Sequence, residues 1–274
     1  MNNLGIIILA AGKGKRMGSA KPKVLFELNG KSLIDYVIAT ARSLNPSRIV
    51  IVVGFGKEQV IEHLSRRDGF LKNHPGEITD TLPTSEQIKF GKPVPLDYVV
   101  QEQLFGTGHA VQQAESLFSN FNGTIAIFNG DVPLISIKTA HDLLNHHLTT
   151  NAAVTILTAS YSNPFGYGRI IHNSKGELER IVEENDATPE ERAITEVNTG
   201  TYVFRSDALF PHLRLIQRNN TQEEYYLTDI IEILRTRGFR ISALKTSTPE
   251  ETYGINTPEQ LQKLNEIAYT LNRL

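Results

Sequence analysis

Cysteine is absent from the 274 residues. Its absence removes disulfides, thiolate metal sites and cysteine nucleophiles from consideration. An excess of basic charge is also missing: 28 Lys and Arg stand against 30 Asp and Glu, a formal net charge of −2. That balance argues against a dedicated nucleic-acid binder, yet leaves room for a local basic site for a small anion. No hydrophobic run reaches membrane length. The first, residues 4–11, is too short to span a bilayer and follows no basic region. No internal repeat, low-complexity tract or hexapeptide period is present, and neither a GxSxG elbow nor a Ser, His and Asp constellation is evident. What remains is a globular composition, 40% hydrophobic and 21% charged, in a chain long enough to bury roughly three quarters of its unfolded surface. The expectation is a soluble, cytoplasmic protein with no membrane span and no nucleic-acid partner.

The apolar patterning alternates between two periods. Runs rich in Ile and Val at 4–9 and 48–53 suit strands buried on both faces, and 96–101, 124–128 and 153–158 are further strand candidates. Helical spacing marks 32–43, 58–64, 108–118 and 136–148. This order predicts an α/β fold with a mostly parallel sheet, helices on both faces and right-handed crossovers. After about residue 160 the pattern shifts. Residues 166–171 and 178–183 flank the turn-forming stretch 172–176 and predict a hairpin. Strands follow at 196–204 and 239–245, with a helix at 229–237 that stops at Gly238. Thr188-Pro189-Glu190-Glu191 and Thr257-Pro258-Glu259-Gln260 both read as helix starts. The second opens a terminal helix whose apolar stripe, Leu261, Leu264, Ala268 and Leu271, is suited to packing on the domain or on a partner. Residues 66–95 hold four prolines and little periodicity, and read as a surface excursion rather than a catalytic lid.

The turn after the first strand carries the most chemistry. It runs Leu9-Ala10-Ala11-Gly12-Lys13-Gly14-Lys15-Arg16-Met17-Gly18, with Lys21 and Lys23 just downstream. Small residues let backbone N–H groups approach a ligand, and the basic residues add fixed charge, as a polyphosphate cradle requires. A Walker loop fails because no Ser or Thr follows in register. A dinucleotide fingerprint fails because its sixth position is Met17 and the second strand ends Val52-Val53-Gly54 without an acidic residue. The alternative is an ordinary strand-to-helix turn, although such a turn has no reason to gather like charges. Asp131 follows a buried strand, which places it on the same sheet edge. There a hard oxygen ligand beside a phosphate cradle meets the needs of Mg²⁺, while a turn or helix cap is the plainer role. Glu183 and Asn198 also end apolar runs, and suit either sugar hydrogen bonds or solvent. Glu102 and Glu184 read as solvated, His146-His147 as a polar helix face, and His109 as packing at a helix start, with a place near the ligand after Gly106-Thr107-Gly108 as the alternative.

Taken together, LAAGKGKRM, KPKVL, QLFGTGHAV, NGDVPLI, GYGRI, VEENDAT, EVNTG, EYYLTDII and YGIN, in this order, resemble the uridylyltransferase domain of bacterial N-acetylglucosamine-1-phosphate uridylyltransferases. The resemblance covers about residues 4 to 272. Its first motif marks sugar nucleotidyltransferases in general, whereas GTGHA, GYGRI and EVNTG together are much more specific to this branch. It implies a Rossmann-like nucleotidyltransferase domain over 1–256 with a smaller β-rich sugar-binding lobe, followed by a C-terminal helix over 257–274. It also implies Mg²⁺-dependent transfer of UMP from UTP to N-acetyl-α-D-glucosamine 1-phosphate, without a covalent intermediate. By the resemblance, Leu9, Ala10, Ala11 and Gly12 line the nucleotide, Arg16 and Lys23 stabilise the phosphates as catalytic cations, and Gln101, Gly106 and Thr107 read the uracil. Asn129 and Gly130 lie beside the ligand, and Gly168, Glu183 and Asn198 hold the sugar. Asp131 and Asn256 hold the metal, and Asn256 also touches the nucleotide.

Three departures stand out. Asn129 occupies a position where some relatives carry Tyr, residues 66–95 exceed the matching family connection, and no β-helix follows the terminal helix. The last predicts no acetyltransferase activity, no acetyl-CoA binding and no inherited trimer; no oligomeric state is assigned. Two other readings accompany the first: transfer with another substrate pair, such as dTTP and glucose 1-phosphate, and a non-catalytic sugar-nucleotide sensor, which would have no need to hold a metal.

Overall fold

The computed structural model describes residues 3–68 and 94–271. The excursion expected at 66–95 lies, apart from its ends, outside the described residues. The elements follow in order: β1 (Leu4–Ala10), a short ribbon of β2 (Glu27–Leu28) and β3 (Lys31–Ser32), α1 (Leu33–Ser43), β4 (Arg48–Val53), α2 (Lys57–Asp68), β5 (Leu96–Val100), α3 (Thr107–Gln113), β6 (Thr124–Asn129) and α4 (Ile137–Thr150). Then come β7 (Val154–Ser160), β8 (Arg169–His172), β9 (Leu178–Val182), α5 (Pro189–Arg192), β10 (Glu196–Arg205), α6 (Ser206–Leu213), α7 (Asp229–Thr236), β11 (Ile241–Lys245) and α8 (Pro258–Thr270).

Among the described residues one nine-stranded sheet runs β11-β7-β10-β6-β1-β4-β5, with β8 on β10 and β9 on β8. β5, β4, β1 and β6 are all parallel. β10 enters antiparallel between β6 and β7, and β11 lies parallel to β7. The register pairs Ala10 with Val53, Val53 with Val100, and Leu9 with Asn129, so four carboxyl ends share one edge. Both faces are covered. Ile7, Val50, Val52, Ile125 and Ile127 pack with α3, α6 and α7, while Ile6, Ile8, Ile49, Ile51 and Phe128 pack with α1, α2 and α4. Burial on two faces is why these strands read as unbroken apolar runs. Helix α8 packs on the domain: Leu264 and Ala268 join Met17, Leu28, Leu33, Leu134 and Ile255 in a third cluster. Among the described residues no helix is long and apolar enough to cross a membrane.

Two expectations are corrected and one helix is added. The helix read at 108–118 ends at Gln113, and a tighter 3₁₀ turn, Glu115–Phe118, follows. That turn carries Phe118 into a ring cluster with Phe121 and Phe210, at centroid distances of 5.1 and 5.8 Å. Helix α6 went unread because Pro211 lies inside it; a proline forfeits only one bond in so short a helix, and buried Leu209, Phe210 and Leu213 hold it to the sheet. His147 is not on a polar face. It continues the stripe Ala140, Leu143, His147 toward the sheet, is 2% exposed, and pairs through Nδ1 with the Thr155 hydroxyl at 3.0 Å. His146 beside it meets the Ser242 hydroxyl at 2.8 Å.

Candidate active site

At the carboxyl end of β1 the chain turns through Gly12, Gly14 and Gly18. Gly14 has φ +57°, and its carbonyl accepts the Met17 N–H at 2.8 Å, which closes the basic 3₁₀ turn Lys15–Met17. The turn after β4 supports it from the side: Phe55 N–H donates to the Ala11 carbonyl at 3.0 Å. Leu9, Ala10, Ala11, Gly12, Lys23, Gln101, Gly106, Thr107, Asn129 and Asp131 line one cavity of about 570 Å³, a volume typical of small-molecule sites. Arg16 stands exposed on the basic turn and is not part of that lining. Gly130 is buried behind it, with its N–H donating to the Leu9 carbonyl at 2.8 Å.

Three distant segments meet at the cationic side. The Lys23 ammonium pairs with the Asp131 carboxylate and donates to Asn256 Oδ1 at 3.0 Å. Ile255 N–H donates to the Asp131 carbonyl at 3.1 Å, and Asn256 N–H donates to Gln260 Oε1 at 2.7 Å, so the capping box of α8 fixes the segment that leads into it. Among the described residues no group of three or more His, Asp and Glu side chains is placed to hold a metal. A divalent cation would therefore draw on one carboxylate, one amide oxygen and the phosphates of its substrates.

Across the cavity Gln101 is 3% exposed, and its Nε2 donates to the Gly106 carbonyl at 3.0 Å and faces His109 Nδ1 at 3.1 Å. Burial lowers the His109 pKa, helped by the Arg218 charge and opposed by a backbone contact with Gln103. A neutral ring lets Nδ1 accept from Gln101. Gly106 takes φ +98°, and a Cβ there would lie 2.7 Å from the Tyr225 carbonyl oxygen. Only glycine suits that close approach. The segment 224–227 braces this loop. Gly108 N–H donates to Tyr225 O and Tyr225 N–H to Phe105 O, each at 2.7 Å, while Leu227 N–H donates to Thr107 Oγ1 at 3.0 Å.

The remaining expected residues form a neighbouring group. Asn198 N–H donates to the Gly168 carbonyl at 2.8 Å, and a Cβ at Gly168 would lie 3.4 Å from Glu183 Oε2. Asn198 Nδ2 donates to the Tyr202 hydroxyl at 2.7 Å, and the Thr228 hydroxyl donates to Glu183 Oε1 at 2.9 Å. Burial raises the Glu183 pKa, a rise that the Thr228 hydroxyl opposes. Burial, with Glu183 next, also lifts Asp229 to about 6. A bulge in β10 brings Gly200 against Asn129: a Cβ at Gly200 would overlap the Asn129 amide nitrogen, joining this group to the cavity. Thr228 and Tyr202 carry no functional expectation from the sequence. Thr228 lies in EYYLTDII, whose pattern does not tell which side chains turn inward, and Tyr202 lies just past EVNTG. Glu184 was read as solvated, and that is corrected. Its carboxylate pairs with buried Arg169 at 2.8 Å and accepts the Gly166 N–H at 2.9 Å. Burial alone would raise its pKa, but Gly166, Arg169 and Arg192 hold it down. Glu102 remains an exposed partner of Lys57.

Against this geometry, the sequence matches the nucleotidyl transferase family over residues 6–263. The chain belongs to the nucleotidyl transferase family. Bifunctional protein GlmU of Halalkalibacterium halodurans is 39% identical over 267 residues, which cover 97% of this chain and 52% of that protein. Bifunctional protein GlmU of Geobacter sulfurreducens is 42% identical over 261 residues, 95% of this chain and 49% of that protein. The chain thus spans about half the length of the curated relatives it matches. Among solved structures, UDP-glucose pyrophosphorylase complexed with UDP-glucose superposes with a TM-score of 0.75 at 19% identity, covering 99% of this chain and all of that one. At that identity the likeness is one of fold, a Rossmann-like sheet with helices on both faces. As a member of this family the chain is a nucleotidyltransferase. Such chemistry asks the protein for positioned cations and hydrogen-bond donors rather than for a nucleophile, and the strand-end rim is furnished in that way.

Proposed function

We propose that the chain transfers the uridylyl group of UTP to N-acetyl-α-D-glucosamine 1-phosphate, giving UDP-N-acetylglucosamine and pyrophosphate. The observation that carries this reading is the continuity of the rim. A glycine-rich, cationic cavity abuts the Gly168, Glu183 and Asn198 group through the contact of Asn129 with Gly200. Two anionic reactants therefore have adjoining places. The GlmU relatives support the choice of substrates.

The residues present fit Mg²⁺. The Asp131 carboxylate and the Asn256 amide oxygen already converge on one cation, the Lys23 ammonium. Both are hard oxygen ligands, and Mg²⁺ commonly takes one or two protein ligands and completes its shell with phosphate and water. When bound, it supplies charge neutralisation at the triphosphate oxygens.

The chain's own groups do the rest. Gln101, fixed by the Gly106 carbonyl and His109, faces the base together with Gly106 and Thr107. Backbone N–H groups of the glycine-rich turn, with Lys23 and Arg16, hold the phosphates. Gly168, Glu183 and Asn198 orient the sugar, so that its phosphate oxygen lies in line with the α-phosphorus. A new P–O bond forms there, the α–β bridging P–O bond breaks, and pyrophosphate carries away the electron pair. Positioning and charge neutralisation supply the rate.

Initial rates of pyrophosphate release across a grid of nucleoside triphosphates and sugar 1-phosphates test the assignment. UTP with N-acetylglucosamine 1-phosphate is expected to give the highest kcat/KM; a better pair, such as dTTP with glucose 1-phosphate, would replace the reading. Arg16→Ala is expected to lower kcat by about a hundredfold, with KM for UTP within roughly threefold, as for a charge that acts on the transition state. An unchanged kcat with a raised KM would make Arg16 a binding residue only.

A further inference from the structure

The segment that carries Asn256 is held by two main-chain hydrogen bonds just before it. Ile255 N–H donates to the Asp131 carbonyl at 3.1 Å. One residue earlier, Gly254 N–H donates to the Tyr167 hydroxyl at 3.3 Å. Tyr167 comes from the other group of site residues, since it directly precedes Gly168. Its own main chain is tied down there. Its N–H donates to the Pro164 carbonyl at 3.2 Å, and its carbonyl accepts from Nη1 of Arg169. Arg169 is 1% exposed and is itself anchored by Glu184 at 2.8 Å.

The Tyr167 ring is seated as firmly. It meets Tyr161 edge-on at a centroid distance of 4.8 Å, and Tyr161 meets Tyr253 at 4.9 Å. Tyr161 in turn hydrogen-bonds the Thr252 hydroxyl at 2.7 Å. Burial pushes the Tyr167 pKa up, against the opposing hydrogen bonds with the Gly254 N–H and the Tyr161 hydroxyl, so the hydroxyl stays neutral. Nothing in the mechanism above uses these rings. Yet a single tyrosine has its backbone in the sugar-side group and its hydroxyl on the segment that delivers an oxygen to the metal-side pair.

We infer that Tyr167 is a positioning residue for nucleotidyl transfer: its hydroxyl holds Gly254 so that the Asn256 amide oxygen and the Asp131 carboxylate face one point. This rests on the metal pair proposed above. The conformation of the loop that carries Gly168 then governs the second oxygen of that pair, and the two halves of the site are mechanically joined.

The test is Mn²⁺ binding, followed by electron paramagnetic resonance on the full chain saturated with UDP-N-acetylglucosamine, with no pyrophosphate added. Tyr167→Phe keeps the ring contacts and removes the acceptor. It is expected to weaken Mn²⁺ binding by roughly tenfold, as loss of an outer partner of a metal ligand does. The Mg²⁺ concentration for half-maximal rate should rise in parallel, with kcat at saturating Mg²⁺ and the melting temperature nearly unchanged. Tyr253→Phe removes a hydroxyl from the same ring cluster without removing a hydrogen bond of the Tyr167 hydroxyl, and should leave Mn²⁺ affinity as it was. In an Asn256→Ala background, Tyr167→Phe should add nothing.

The inference is overturned if Tyr167→Phe binds Mn²⁺ as the wild type does while Asp131→Ala binds it poorly. It is equally overturned if Tyr253→Phe weakens binding as much as Tyr167→Phe. Should Asp131→Ala itself leave Mn²⁺ affinity unchanged, the metal pair is wrong, and both the proposed metal site and this inference fall together.

Discussion

Asp131→Ala is expected to lower turnover by roughly a thousandfold or more, about 4 kcal/mol of transition-state stabilisation. The reason is local. Asp131 is the carboxylate that meets Lys23 at the cationic side of the cavity, and Asn256 contributes only a neutral amide. Without it the triphosphate would lose the anchor for its metal, and Lys23 would lose the group that aims it. The fold should survive the change. The side chain is 17% exposed, and it is the main-chain carbonyl that accepts the Ile255 N–H. Asp131→Asn separates charge from shape, because it keeps an oxygen in place but removes the negative charge, and it too should be severely impaired. Pyrophosphate release measured while Mg²⁺ is varied gives the result. If either variant comes within about tenfold of the wild type at high Mg²⁺, the carboxylate has no essential part in the reaction.

The rim of the sheet was legible because its causes are local. Ile6, Ile7 and Ile8 announce a strand covered on both faces, and Gly12, Gly14 and Gly18 with their basic neighbours mark the turn at its end where the proposed phosphate site lies. Asp131 was visible for the same reason, standing two residues beyond β6. The pairing of Lys23 with Asn256 spans 233 positions, and no local pattern encodes it. Asn256 therefore entered only through family resemblance. The antiparallel insertion of β10 between β6 and β7 was hidden likewise, since strand order depends on pairing rather than on composition.

Charged residues were misread where tertiary contacts reversed their surroundings. Glu184 follows Glu183 in a polar stretch that looks solvated, but Arg169 is buried beneath it and needs a counter-charge. An unpaired guanidinium in that position would cost several kcal/mol. The sequence displays the two partners 15 residues apart with the hairpin of β8 and β9 between them, and only folding the hairpin closes the pair. This pair also fixes the main chain on either side of Gly168. A network that seemed incidental to function thus shapes the sugar-side group.

The wild type is expected to lose roughly 3 kcal/mol of stability between pH 7 and pH 4 that His147→Gln retains. Burial, with Arg205 and His146 adding repulsion, lowers the His147 pKa from 6.5 to about 4. The unfolded chain takes up this proton below about 6.5, whereas the folded one resists until about 4. Between those values the unfolded state binds more protons, so stability rises with pH. The contribution is complete above the unfolded value and is lost as pH falls toward the folded one. A glutamine keeps a hydrogen-bonding group opposite the Thr155 hydroxyl and does not titrate. Urea unfolding of both proteins at pH 7, 6, 5 and 4 isolates the difference, because the carboxylates and the other histidines are common to both. Parallel stability curves would show that His147 is protonated in the fold at no cost. His147 shares a small cavity with Thr124, at the end of β6 opposite Asp131. The pH dependence of kcat should therefore be the same in both proteins, which separates acid unfolding from the titration of the catalytic rim.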